Sequence, residues 1–144
     1  MGQVSEVVRI MGGERVVGRL RSADDLRRAV QAGLPVAALD HVVARVAPGG
    51  GRGAAAFKYR IVPRATLHRR KQRLSPAESE RLERLARITA LAEQVWEDAA
   101  LAREFLTSVQ PQLGDERPVD LARSDLGARE VEALLMKIEY ALPV

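Results

Sequence analysis

A chain of 144 residues with 47% hydrophobic content has the material for one domain, or two small ones sharing a core, since domains run from about 50 to 200 residues. Aromatic residues make up only 3%, so the interior must be built from Leu, Val, Ala and Ile, which suits helices. The absence of Cys excludes a disulfide framework, a thiolate metal site and a cysteine nucleophile, and two His without ligand spacing give no metal motif. The formal charge is +4, unevenly placed. Between His41 and Ala77 stand Arg45, Arg52, Lys58, Arg60, Arg64, Arg69, Arg70, Lys71 and Arg73 with no Asp or Glu, whereas 14 acids face eight cations from Glu78 onward. A block of one sign attracts a polyanion.

In chain order, Val4 to Leu20 holds two valine-rich stretches around Gly12-Gly13, and periodicity does not decide between helix and strand there. Ser22 can cap a helix with Asp24 and Asp25 in its first turn, an apolar face of Leu26, Ala29 and Val30, and Gly33 as its stop. Pro35 can take the first position of the next helix, where Leu39, Val42, Val43 and Val46 recur at helical spacing. Pro48 and the run Gly49-Gly50-Gly51-Arg52-Gly53 predict a flexible loop. It lacks the Lys-Ser/Thr and the preceding strand of a phosphate loop.

Ala54 to Ile61 then reads as a short helix, and Pro63 opens another through Gln72, with Leu67 and Leu74 one heptad apart on its apolar face. Ser75-Pro76-Ala77-Glu78 is a capping box with proline at the first helical position. The long helix it starts runs to about Glu97 through Leu82, Leu85, Ile88, Ala92, Val95 and Trp96. Beyond it the pattern predicts a helix over Ala99–Val109, a loop over Gln110–Asp115 and a short helix from Pro118. A last helix, from about Ala128 to Tyr140, buries Val131, Leu134, Leu135 and Ile138. The fold class expected is all-α.

Two short helices at a tight turn, the second basic, are what a helix-turn-helix needs. Arg64, Thr66, His68 and Arg69 are the candidate base readers; Lys58, Arg60, Arg70, Lys71 and Arg73 are the candidate phosphate contacts. His68 is expected at the surface and His41 partly buried. Neither has a nucleophile or carboxylate in sequence to orient it, so a non-enzymatic role with no cofactor and no metal is expected. No apolar run approaches a membrane span and no signal segment is seen, so a soluble cytoplasmic protein without membrane contact is expected.

From about Gly33 onward the sequence resembles the Xre/MbcA/ParS-like antitoxins of type II toxin–antitoxin systems. The resemblance is carried by Val62-Pro63-Arg64-Ala65-Thr66-Leu67-His68-Arg69-Arg70-Lys71 and by Leu74-Ser75-Pro76-Ala77-Glu78-Ser79-Glu80-Arg81-Leu82. Toward the end it rests on Leu113-Gly114, Pro118, Leu121, Leu126-Gly127, Val131, Leu135 and Ile138-Glu139-Tyr140, where Gly127 reads as relaxing the chain before the final helix. The sequence departs from the family pattern at Ala141, where glycine is common, and at Phe105-Leu106, where Trp-Leu is frequent.

The resemblance implies an Xre-like helix-turn-helix DNA-binding half fused to a small helical toxin-binding domain. Residues 1–20 then form an N-terminal segment, 21–74 the DNA-binding domain, 75–97 a connecting helix and 98–144 the toxin-binding domain. It further implies a homodimer on operator double-stranded DNA, autorepression, and a RES-domain toxin that consumes or transfers from NAD. Lys137, Glu139, Tyr140, Ala141, Leu142, Pro143 and Val144 would then occlude the toxin's active site. The residues by themselves leave open a stand-alone regulator whose C-terminal half only dimerises or senses a ligand, and a non-specific nucleic-acid scaffold.

Overall fold

A computed structural model describes residues 2–70 and 72–141, and in these the regular structure is helical throughout, with two isolated antiparallel bridges and no strand. The helices are α1 (Gln3–Ile10), α2 (Glu14–Val17), α3 (Ala23–Ala32), α4 (Val36–Val46), α5 (Gly51–Ile61), α6 (Arg64–Arg69), α7 (Pro76–Trp96), α8 (Ala99–Thr107), α9 (Pro118–Leu121) and α10 (Asp125–Glu139). A single 3-10 turn, Pro111–Leu113, precedes α9. No helix among the described residues is long and apolar enough to cross a membrane.

The axis of the molecule is α7, entered through the capping box. Ser75 Oγ accepts from the Glu78 N–H at 3.2 Å while Glu78 Oε1 accepts from the Ser75 N–H at 2.8 Å. Its buried residues include Leu82, Leu85, Ala86, Ile88, Thr89, Ala90 and Ala92. At 3.6 residues per turn these span an arc of about 200°, too wide for one neighbour. The helix accordingly packs against α1, α3, α4 and α5, and also against α8 and α10, giving one continuous core.

The N-terminal ambiguity resolves to helix. Val7, Ile10 and Met11 are fully buried, α1 lies on α7 and α4, and Arg9 reaches Glu93 at 3.2 Å. Gly12 and Gly13, at φ 108° and 84°, reverse the chain. His41 is exposed rather than partly buried, and its ring lies where a Cβ on Gly12 would come within 2.6 Å.

Several element boundaries move. Pro35 caps α4 instead of opening it, because residues 34–36 pair with 72–74: the Val36 N–H donates to the Gln72 carbonyl and the Leu74 N–H to the Leu34 carbonyl, each at 2.8 Å. That pairing also takes Leu74 off the helix of Leu67. It is buried in an extended segment, and α6 stops at Arg69. The glycine loop is shorter than its composition suggests, since α5 begins at Gly51 and includes Arg52 and Gly53. First-turn N–H groups have no intrahelical partner to lose, and Ala54–Ala56 propagate the helix.

Downstream, α8 ends at Thr107, two residues early, where Gln110 Nε2 donates to the Phe105 carbonyl at 3.0 Å and the Gln110 N–H pairs with Glu116. The last helix starts at Asp125, not Ala128, because Ser124 Oγ accepts from the Gly127 N–H at 3.0 Å. Gly127 is therefore inside the first turn. It does not relax the chain: a Cβ there would run into the Leu121 carbonyl oxygen, so glycine lets α10 seat on α9. Val131, Leu134 and Leu135 are buried as the periodicity predicts, and Ile138 is half-buried.

Candidate nucleic-acid and partner interfaces

The second basic helix, α6, is a single short element. It is held by Leu67, which packs against the core, and by the preceding Ile61-Val62, both buried. Arg64, His68 and Arg69 on it are exposed, Thr66 is half-buried, and no ion pair involves Arg64, His68 or Arg69 among the described residues. The Arg64 guanidinium carbon lies 4.8 Å from the centroid of the Tyr59 ring on α5.

The cations assigned to phosphates are placed otherwise. Lys58 pairs with Asp40 of α4 at 2.7 Å, Arg60 with Asp120 of α9 at 2.8 Å, and Arg73 donates to the Gly33 carbonyl at 2.8 Å. Arg70 forks onto the buried Glu78 carboxylate, Nε at 3.0 Å and Nη2 at 3.2 Å. Burial pushes the Glu78 carboxyl up, but the hydrogen bonds from Arg70 and Ser75 outweigh it and hold the group below its ordinary value. These four cations brace the helix-turn-helix within its own molecule. The remaining candidate, Lys71, lies outside the described residues. Residue-type reasoning could not separate braced from unbraced cations, because Asp40, Glu78 and Asp120 come to them only through the fold.

Further contacts join this unit to the C-terminal half. Arg81 of α7 donates to the Ile61 carbonyl at the end of α5 at 2.8 Å, and Arg84 donates to the carbonyls of Ala122 and Arg123 just past α9 at 3.3 and 3.0 Å. Arg87 of α7 meets Glu132 of α10 at 2.6 Å. Burial raises the carboxyl of the neighbouring Glu83, with Arg87 opposing and Glu132 reinforcing the shift.

The candidate partner surface lies at the end of α10. Lys137, Glu139, Tyr140 and Ala141 are all exposed, Tyr140 at 68%. Ala141 sits at φ 53°, in the left-handed region, and its N–H donates to the Ile138 carbonyl at 3.2 Å. This alanine thus adopts the conformation that glycine adopts freely. Leu142, Pro143 and Val144 lie outside the described residues. Periodicity gave no hint of Leu126, 71% exposed at the opposite end of the same helix, or of Leu101 and Val109, about half exposed on and after α8.

Residues 25–87 match the family model described as the antitoxin Xre-like helix-turn-helix domain, and residues 91–141 match the antitoxin Xre/MbcA/ParS C-terminal toxin-binding domain. The chain belongs to the Xre family of antitoxins. Among curated proteins it is similar to antitoxin Xre of Pseudomonas putida strain KT2440, with 35% identity over 81 residues, 54% of this chain and 51% of that protein. The alignment therefore spans about half the length of the relative it matches. On the structure, the Xre-like helix-turn-helix match begins within α3 and ends within α7, so it contains α5 and α6 whole. The C-terminal match takes the last turns of α7 together with α8, α9 and α10.

Proposed function

We propose that this Xre-family chain is a type II antitoxin that represses its own operon through α6 and neutralises a RES-domain toxin through α10 and the tail after it. One juxtaposition carries the reading: a short helix whose cations have no carboxylate partner among the described residues stands in the same chain as a match to a toxin-binding domain. Arg64, Thr66, His68 and Arg69 read base edges from the major groove, in a homodimer that spans two half-sites. Lys58, Arg60, Arg70 and Arg73 hold that helix in place, and Lys71 adds a phosphate contact. In this reading the protein catalyses nothing itself.

On the toxin side, Lys137, Glu139, Tyr140 and Ala141 lead Leu142-Pro143-Val144 into a pocket that holds NAD. The surplus of acids from Glu78 onward suits the cationic groups that such a pocket needs for phosphates. The experiment pairs binding to the DNA upstream of the gene with co-purification and inhibition of the neighbouring gene product. Arg64→Ala with Arg69→Ala should weaken operator binding about a hundredfold or more while toxin inhibition survives. A chain truncated after Ile138 should keep the operator and release the toxin. Loss of both activities in a folded double variant, or full inhibition by the truncated chain, refutes this division of labour.

A further inference from the structure

Arg64 is the first residue of α6 and sits over the ring of Tyr59, 4.8 Å from its centroid, yet donates no hydrogen bond and makes no ion pair among the described residues. All of its N–H donors are therefore free for a partner, while the ring limits where the side chain can go. An unrestrained arginine loses considerable rotamer freedom when it forks onto a base, and a guanidinium already held by an aromatic face loses less. The neighbours of Tyr59 tie its helix to the elements around it. Lys58 ties α5 to Asp40 on one side, Arg60 ties it to Asp120 on another, and Arg81 holds the Ile61 carbonyl at its end. The Tyr59 hydroxyl makes no hydrogen bond among the described residues, and it is the ring that Arg64 meets.

We propose that Tyr59 is a specificity-determining positioning residue, which holds the Arg64 guanidinium ready to fork onto a guanine edge in the major groove. The proposal rests on the reading of α6 as the base-reading helix. It deepens that reading by naming a residue outside α6 that sets the selectivity of one base pair in each half-site.

The test selects binding sites for the full chain from a random-sequence duplex library. Affinities for the selected duplex, and for its single-base-pair variants, are then measured for the parent, Arg64→Ala, Tyr59→Phe and Tyr59→Leu. Arg64→Ala should abolish the preference at one position per half-site. Tyr59→Leu, which keeps apolar bulk but lacks the ring, should cut the preference at that same position by about three- to fivefold. Tyr59→Phe should retain it, and binding to random DNA at low salt should not change. An unchanged preference at the Arg64 position in Tyr59→Leu, or equal weakening at every position in a variant that unfolds like the parent, overturns the role of Tyr59 alone. If Arg64→Ala leaves the whole profile intact, or the parent selects no sequence, the reading of α6 and the proposal both fall.

Discussion

Glu78 and Glu83 lie little more than a turn apart on α7 and respond to burial in opposite ways. Both are pushed up by desolvation, but Glu78 gains more from Arg70 and Ser75 than it loses, and ends below its ordinary value; Glu83, facing Glu132 as well as Arg87, ends above it. A lowered carboxyl contributes stability that is present above the unfolded value, about 4.3, and is lost as pH falls through the folded one. A raised carboxyl contributes stability that is present at low pH and lost as pH rises through its folded value. Urea unfolding of Glu78→Gln should therefore show a loss of about 1–2 kcal/mol at pH 7 that narrows toward pH 3.5. Glu83→Gln should gain on the parent as pH rises from 4 to 7. If the two variants share one pH trend, the balance of burial and pairing described for them is wrong. The capping box of which Glu78 is part was legible because its two members are three residues apart. Its bond to Arg70 was not, since the intervening chain must first leave α6 and run extended past Leu34.

Among the elements, helix type and order were readable wherever apolar spacing was regular, while ends were readable only where the cap was local. Ser22 and Ser75 marked their helices correctly. Ser124 gave an equally local signal, but Gly127 masked it, because a glycine three residues later suggests loop and here serves a close approach to Leu121. Gly127→Ala weighs two effects against each other. Alanine gains about 1 kcal/mol of helix propensity, and a Cβ against a backbone carbonyl, which no rotamer change relieves, costs about 3 kcal/mol. The net loss of about 2 kcal/mol should lower the thermal midpoint by about 4–8 °C. A variant that melts at or above the parent would show that α9 yields easily to α10. The α4 entry shows the converse limit: only pairing with residues 72–74, invisible to local pattern, turns Pro35 from a first helical residue into a cap.

At the scale of the whole molecule, the proposed division into a DNA-binding half and a partner-binding half is a division of surfaces. The buried side chains form a single cluster from Val7 to Leu135, and α7 serves both halves. Such a wide buried arc could be read from the crowded apolar positions of α7, whereas the ion pair between Arg60 and Asp120, 60 residues apart, could not. A fragment ending at Glu97 would expose the part of α7 that α8 and α10 cover. It should therefore unfold without a sharp transition in calorimetry, while the full chain melts as one unit. A cooperative transition in the fragment would mean that the helix-turn-helix carries a sufficient core of its own.

The turn from α7 into α8 has a further use. Trp96, the one tryptophan of the sequence, closes α7 with its indole N–H buried and without a partner among the described residues, and its ring centroid lies 5.9 Å from that of Phe105. Tyr59 and Tyr140 are the only other fluorophores of note, one on α5 beside Arg64 and one at the end of α10. Excited at the red edge of indole absorption, the protein therefore emits from a single half-buried point, at the turn from α7 into α8 and inside the segment that matches the toxin-binding domain model. It carries its own optical reporter of that turn, and no label need be introduced to follow it.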